Sequence, residues 1–478
     1  MSMSIEIYNT PIKRKQQFSP LKKGMVGMYV CGITAYDMCH IGHARSMIIF
    51  DTIARFLRKK GYDLTYVRNF TDVDDKIIAR ANKGGLTYQD VSEEYIEEFY
   101  TDMEILKVGK PDVEPKASEH IPEMIDMIAA LIDKSLAYEA EGSVYFNVSR
   151  FKGYGKLSSR KLEDMIAGAR VDVNEAKKDP LDFALWKVSK PGEPWWESPW
   201  SKGRPGWHIE CSAMSTHYLG PTLDIHGGGR DLIFPHHENE IAQSEGAYGK
   251  PFVRYWIHNG FVTVNNDKMS KSLGNFLTIR ELTKEIHPEV LRLFLLSRHY
   301  RSPIDFSWDA IHESRGALIR FYESLDRVFN SPERAIRPRL KNIIDGFSNK
   351  FDAAMSDDFN TAKAIGHIHE FTTEVNRTLD SNPEVAEGDV LALRAALSDV
   401  SDILGILEQK PAEFLDHIKH ADPDKVGITD QEIEGLILSR DNARKARDFK
   451  AADEIRDSLK ARGIILKDTP GGTAWERE

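Results

Sequence analysis

Cysteine is scarce in this sequence, with three residues in a chain of 478. So few thiols cannot build a disulfide framework, and the fold must rest on buried apolar surface. Long apolar runs are missing as well: no window approaches the ~18 consecutive apolar residues that crossing a bilayer requires, so no membrane partner is expected. The opening stretch from Met1 to Phe18 lacks the apolar centre of a secretory leader, which makes a cytoplasmic location the expectation. An excess of positive charge is also absent, since 74 Asp and Glu stand against 64 Lys and Arg for a net charge of −10. Because phosphate backbones are bound by Lys and Arg, that balance speaks against a nucleic-acid partner. What is present is globular material: a hydrophobic content of 41% excludes a disordered chain.

The pattern along the chain points to an α/β protein. Met25 to Val30 is a short apolar run suited to a buried strand, Cys31-Gly32 reads as a turn, and a helix follows from about Gly42. Ile49, Ile53, Phe56 and Leu57 share one face of that helix, and Gly61 stands where a C-terminal cap belongs. Leu64 to Val67 is a second strand, which completes a βαβ unit. A second α/β block has a strand from Thr222 to His226, a Gly227-Gly228-Gly229 turn, a helix from Pro235 towards Gly246, and a strand from Tyr255 to Val264. Between the blocks, residues 115–205 carry a helix near Ile121, a short strand at Val144 to Phe146, and irregular chain holding Trp186, Trp195, Trp196 and Trp200. These tryptophans read mainly as packing.

After residue 310 the strands give way to amphipathic helices. The expected fold is a Rossmann-type doubly wound parallel sheet with an insertion, followed by an α-helical bundle and a small C-terminal α+β domain. Its expected divisions are 1–115 and 206–262 for the two halves of the nucleotide-binding domain, with the insertion at 116–205. A loop region at 263–310, a bundle at 311–420 and a last domain at 421–478 complete the chain. In that last domain one helix over 430–462 precedes a strand at Ile464 to Leu466.

Two motifs carry phosphate chemistry. His40-Ile41-Gly42-His43 lies where the first strand gives way to the first helix, so free N–H groups and two imidazoles meet at one spot. Gly42 leaves room for a ligand against the backbone. Lys268-Met269-Ser270-Lys271-Ser272 follows the last strand and makes a cationic loop able to close over a polyphosphate. Either motif alone also fits a structural turn; both on one compatible fold are more specific than either part.

A metal site is legible beside them. His236 and Glu240 are one helical turn apart, Cys31 follows a core strand, and Cys211 follows Gly206-Trp207-His208-Ile209-Glu210. Two thiolates, an imidazole and a carboxylate suit tetrahedral zinc and disfavour magnesium or calcium. A solvated helix start is the other reading of His236-His237-Glu238-Asn239-Glu240. Cys39 reads as a small buried residue.

These motifs resemble those of class I aminoacyl-tRNA synthetases, whose HIGH and KMSKS signatures stand unaltered at 40–43 and 268–272. Tyr29 to Thr34, Gly206 to Ser212 and Phe234 to Glu240 further resemble the cysteinyl-tRNA synthetase family. The resemblance implies activation of L-cysteine with ATP, assisted by Mg2+, and transfer to cysteine tRNA by a monomer. It implies catalytic His40, His43, Lys268 and Lys271, with Gly42 and Ser270 also at ATP. One Zn2+ ion is implied at Cys31, Cys211, His236 and Glu240, and a cysteine pocket at Gly32, Thr34, Thr71 and Trp207. The last domain would read the anticodon through Arg440, Arg444, Lys445 and Trp475. Between residues 440 and 462, eight cations outnumber five anions, although charged helices are often only solvated faces. A metal that holds the substrate thiolate also removes the need for an editing domain, consistent with an insertion of about 90 residues. Two alternatives stay open: a cysteine ligase acting on a small amine, and a non-catalytic zinc protein that binds nucleic acid.

Overall fold

Burial becomes continuous at Met28-Tyr29-Val30-Cys31, as expected of a strand in the middle of a covered sheet. In the computed structural model this strand, β1, runs Met25–Thr34. Helix α1 (Ile41–Lys59) follows, and then strand β2 (Asp63–Thr71). The second block supplies α2 (Trp207–Leu219), β3 (Leu223–Gly229), α3 (His236–Tyr248) and β4 (Val253–Asn259). The residues described are 4–160, 177–269, 275–331, 339–381, 387–420, 430–445, 448–461, 464–469 and 472–477.

The four strands form one sheet in the order β4-β3-β1-β2, and every neighbouring pair is parallel. Winding proceeds outward in both directions from the β1/β3 junction. In open α/β sheets the crevice beyond the strand ends at such a junction is where ligands bind.

Two expected turns are instead strand. β1 continues through Cys31 and Gly32 with an irregularity between Val30 and Ile33. A Cβ on Gly32 would lie 1.6 Å from the Asn69 carbonyl oxygen, so only glycine lets β2 approach this closely. β3 likewise extends through its glycines to Gly229. A Cβ on Gly227 would meet the Phe50 ring at 2.2 Å, and one on Gly228 the His237 ring at 2.9 Å. Both glycines make room for neighbouring rings and leave the strand intact. The strand expected from Tyr255 to Val264 is two: β4, and Val262–Val264, which pairs in a separate small sheet with Asp267–Lys268 and Ile304–Phe306.

The stretch read as mostly irregular holds a four-stranded antiparallel sheet built from Ala137–Ala140, Ser143–Phe146, Phe183–Val188 and Gly203–Pro205. Trp186 is fully buried in it, against Trp200, as expected of a packing residue, whereas Trp195 is 49% exposed. Helices Trp308–Phe329, Arg339–Ser356, Thr361–Ser381 and Glu387–Leu404 follow. A buried ion pair anchors helix Pro288–Leu296 to α1: the Arg292 guanidinium donates to Asp51 Oδ2 at 2.6 Å and to the Leu106 carbonyl at 3.0 Å.

The chain divides into two compact units, Met1–Lys410 and Pro411–Glu478. In the second, the single helix expected over 430–462 is two, Asp430–Lys445 and Phe449–Ala461. Asp448 accepts from the Ala451 N–H at 3.1 Å and so caps the start of a new helix. A hairpin of Ile464–Thr469 and Gly472–Arg477 closes over Ile433, Ile437 and Leu459. Among the described residues no helix is long and apolar enough to cross a membrane.

Candidate functional site

Four of the expected residues converge below the sheet's switch point. Cys31 comes from β1, Cys211 from the start of the second turn of α2, and His236 and Glu240 from the first two turns of α3; ligand atoms from all four lie within 4.8 Å of one another and all are buried. The two sulfurs are 3.7 Å apart, far beyond a disulfide bond. A tetrahedral zinc with ~2.3 Å bonds to sulfur separates two such ligands by ~3.7 Å. Cys31 Sγ is 3.6 Å from Glu240 Oε1, and His236 Nε2 is 3.0 Å from the same oxygen. The donor set and its spacing fit the ion.

The electrostatics suit a cation too. A hydrogen bond from Cys31 is the main reason that the Cys211 thiol is pulled down to about 6, whereas burial holds the Cys31 thiol well above its ordinary value. Burial alone would raise the Glu240 carboxyl, but His226 and His236 outweigh it and hold Glu240 well below the carboxylate range. His236 is lifted to about 10, against burial, by Glu240 and Cys211.

A ring of histidines that the sequence motifs do not indicate surrounds this cluster. His226 Nε2 lies 2.7 Å from Glu240 Oε2, His237 Nε2 lies 3.3 Å from Cys31 Sγ, and His237 Nδ1 meets His258 Nε2 at 2.8 Å. His208 meets His236 at 2.9 Å. Cys31, His226, His237 and Glu240 form a second grouping that shares two members with the first. The grouping with both sulfurs suits a soft-ligand ion better, which leaves His226 and His237 to orient the ligands. The adjacent His236-His237 pair was the available signal, since its members stand four and three residues before Glu240.

At the crevice itself, His40 caps α1. Its Nδ1 accepts from the Gly42 and His43 N–H groups at 3.0 and 3.3 Å, while His43 Nδ1 accepts from the His40 N–H at 3.3 Å. The two rings stack with centroids 3.7 Å apart. Burial pulls His40 down to about 4. His43 is held well below its ordinary value by burial, then by His40 and Lys76. Both imidazoles are therefore neutral, and since Nδ1 is an acceptor in each, both carry their proton on Nε2. Gly42 has a steric reason beyond ligand access, because a Cβ there would crowd His40 Cε1 at 2.8 Å.

The second motif comes to the first. The Ile41 N–H donates to the Leu277 carbonyl at 3.0 Å, and the Ile279 N–H to the Cys39 carbonyl at 2.9 Å. The methyl of Met269 lies 3.7 Å from where a Gly42 Cβ would stand. Lys268 pairs through its backbone with Thr263. Ser270, Lys271 and Ser272 lie outside the described residues.

Of the residues expected to hold cysteine, Gly32 adjoins Cys31 in sequence and Trp207 touches His236. The Gly32 N–H donates to Asn69 Oδ1 at 3.0 Å, and Thr34 pairs with Thr71 at the end of the sheet. The Thr71 hydroxyl donates to buried Glu210 at 2.7 Å. Trp207 packs on His236 with centroids 4.3 Å apart and keeps 38% of its surface exposed. In the second unit, Arg440 is buried and donates to Thr473 Oγ1 at 3.2 Å, whereas Arg444 is exposed. Trp475 is half-buried against that unit's core. Lys445 ends its helix.

Residues 17–316 match a family described as tRNA synthetases class I (C) catalytic domain, 350–408 a DALR domain, and 429–475 a cysteinyl-tRNA ligase anticodon binding domain. The chain is 53% identical to the cysteine–tRNA ligase of Geobacter sp. (strain M21) over 99% of its length and 100% of the relative's. It is 51% identical to that of Thermodesulfovibrio yellowstonii, with 99% of each chain covered. Among solved structures, Mycobacterium tuberculosis methionyl-tRNA synthetase in complex with methionyl-adenylate aligns with a TM-score of 0.62 at 16% identity, covering 85% of this chain and 94% of that one. A putative arginyl-tRNA synthetase from Campylobacter jejuni aligns at 0.55 and 15% identity, covering 82% and 95%. At such identities the likeness concerns the fold alone.

Proposed function

This chain belongs to the cysteinyl-tRNA synthetase family of class I, and from that premise we propose that it activates L-cysteine with ATP and transfers it to cysteine tRNA. In the first step a carboxylate oxygen of cysteine bonds to the α-phosphorus, the bond to the bridging oxygen breaks, and pyrophosphate leaves. In the second, a ribose hydroxyl of the terminal adenosine attacks the cysteinyl carbonyl and AMP departs. The carboxylate is already a nucleophile, so the first step needs no protein base, and catalysis rests on positioning and charge stabilisation.

The observation that carries this reading is the meeting of Met269 and Leu277 with Gly42 and Ile41 beside a two-thiol cluster. His40 and His43 offer neutral Nε2–H donors to the phosphoryl oxygens. Lys268 and Lys271 follow the β- and γ-phosphates, joined by Ser270 and a substrate-borne Mg2+. Thr71 and Trp207 flank the amino acid, with Gly32 and Thr34 at the strand edge behind it. The metal at Cys31, Cys211, His236 and Glu240 is zinc, which when bound supplies a Lewis acid for the substrate thiolate, where a serine hydroxyl is a poorer ligand. A monomer in the cytoplasm completes the proposal.

Cysteine-dependent ATP–pyrophosphate exchange tests the first step. Lys271→Ala is expected to slow exchange at least tenfold with little change in cysteine binding, and an unchanged rate would remove Lys271 from the mechanism. Charging of purified cysteine tRNA separates this reading from a ligase acting on a small amine; the anticodon-binding match at 429–475 favours tRNA.

A further inference from the structure

Tyr29 stands two residues before Cys31 on β1, and both side chains belong to the same buried cluster. It is fully buried, and its ring edge meets His226 with centroids 5.2 Å apart. Its hydroxyl is buried and has no hydrogen-bond partner among the described residues. A lone buried hydroxyl of this kind is destabilising, which calls for an explanation. The ionisable groups that face it are Cys211, Cys31 and Glu240.

Two of those three already have polar neighbours of their own. Glu240 has His226 at 2.7 Å and His236 at 3.0 Å, and Cys31 has His237 at 3.3 Å. Cys211 has the Asn69 side-chain oxygen at 3.7 Å, which is an acceptor, and the Cys31 sulfur at the same distance. Once both thiols have given up their protons to an ion, neither sulfur can donate to the other. His236 is then occupied as a ligand. Among the described residues, the Cys211 sulfur is then the ligand facing Tyr29 for which no donor remains.

We infer that the Tyr29 hydroxyl donates a hydrogen bond to the Cys211 thiolate in the metal-loaded protein and so tunes how strongly that sulfur binds the ion. This rests on the metal reading above. Tyr29 acts through Cys211 and touches no reacting atom, so it is a positioning residue. An O–H···S bond draws charge from the sulfur, stabilises the thiolate against reprotonation, and leaves the ion more electrophilic toward a substrate thiol.

The test is Tyr29→Phe in the full-length protein, loaded with zinc or with cobalt(II). Loss of an unpartnered hydroxyl predicts a metal-free variant at least as thermally stable as the metal-free parent. The loaded variant should release zinc to a chromogenic chelator roughly tenfold faster. Its sulfur-to-cobalt charge-transfer band should move to longer wavelength, because a sulfur without its donor is richer in electrons. Placing 3-fluorotyrosine at position 29, a more acidic phenol of nearly the same shape, should move the band the other way. Release rates and spectra equal to the parent's would overturn the inference while leaving the metal reading intact. A parent protein with no thiolate-to-cobalt absorption would overturn both.

Discussion

The paired histidines at the start of α1 are proposed as neutral donors because of where their protons sit. Each Nδ1 is occupied by a backbone N–H, so each Nε2–H is free to face a phosphate. Burial enforces neutrality by holding His40 near 4. An imidazole whose folded value lies below its ordinary 6.5 is neutral in the folded chain while the unfolded chain takes up a proton. Stability is therefore lost as pH falls from about 6.5 towards 4, on the order of 3 kcal/mol for a shift of this size. His40→Asn keeps an acceptor for the cap and removes the titration, so its stability should depend less on pH across that window. Denaturant titrations at several pH values decide the matter, and an acid limb identical to the parent's would contradict the assignment. At this scale the sequence pointed to four side chains that the fold brings together, Cys31, Cys211, His236 and Glu240, because thiols, an imidazole and a carboxylate share one ligand chemistry. The supporting shell of His208, His226, His237 and His258 was not legible, since its members reach the cluster from separate elements.

At the scale of elements, the order of strands and helices in both halves followed from apolar periodicity, but the ends of β1 and β3 did not. Glycine in sequence signals a turn, whereas Gly32, Gly227 and Gly228 are thin places in continuous strands. The cause is tertiary: what stands opposite each glycine is supplied by a segment distant in sequence. The nature of that neighbour predicts different outcomes for substitution. Gly227→Ala meets the end of the Phe50 ring, a side chain, so its cost of about 1–3 kcal/mol should shrink in the double variant with Phe50→Leu. Gly32→Ala meets the backbone oxygen of Asn69, which no side-chain change can withdraw, and should cost more than Gly227→Ala. Thermal unfolding of Gly227→Ala, Phe50→Leu, their double and Gly32→Ala checks this; strict additivity of Gly227→Ala and Phe50→Leu would contradict it. The break between the last two helices was invisible for a related reason, since a helix cap at Asp448 inside a charged run resembles any other solvated Asp.

At the scale of the whole molecule, a net charge of −10 coexists with a tRNA-binding family. Net charge describes a total, and binding depends on local surface. Arg440, buried against Thr473, serves its own unit's packing, while Arg444 is exposed on the same helix. Arg444→Ala should leave cysteine-dependent exchange unchanged, weaken tRNA binding, and lower the salt slope by about 1; an unaltered slope would remove Arg444 from the interface. The central claim is that a two-thiol metal site and a phosphate-binding crevice together make a cysteine-specific, tRNA-charging enzyme. Its most direct test is aminoacylation of purified cysteine tRNA by the full-length chain, with cysteine and serine compared at equal concentration. The account predicts cysteinyl-tRNA at a rate at least a hundredfold above seryl-tRNA, with charging lost when the metal is stripped and recovered when zinc is returned; comparable rates for the two amino acids, or undiminished charging by the metal-free protein, would contradict it.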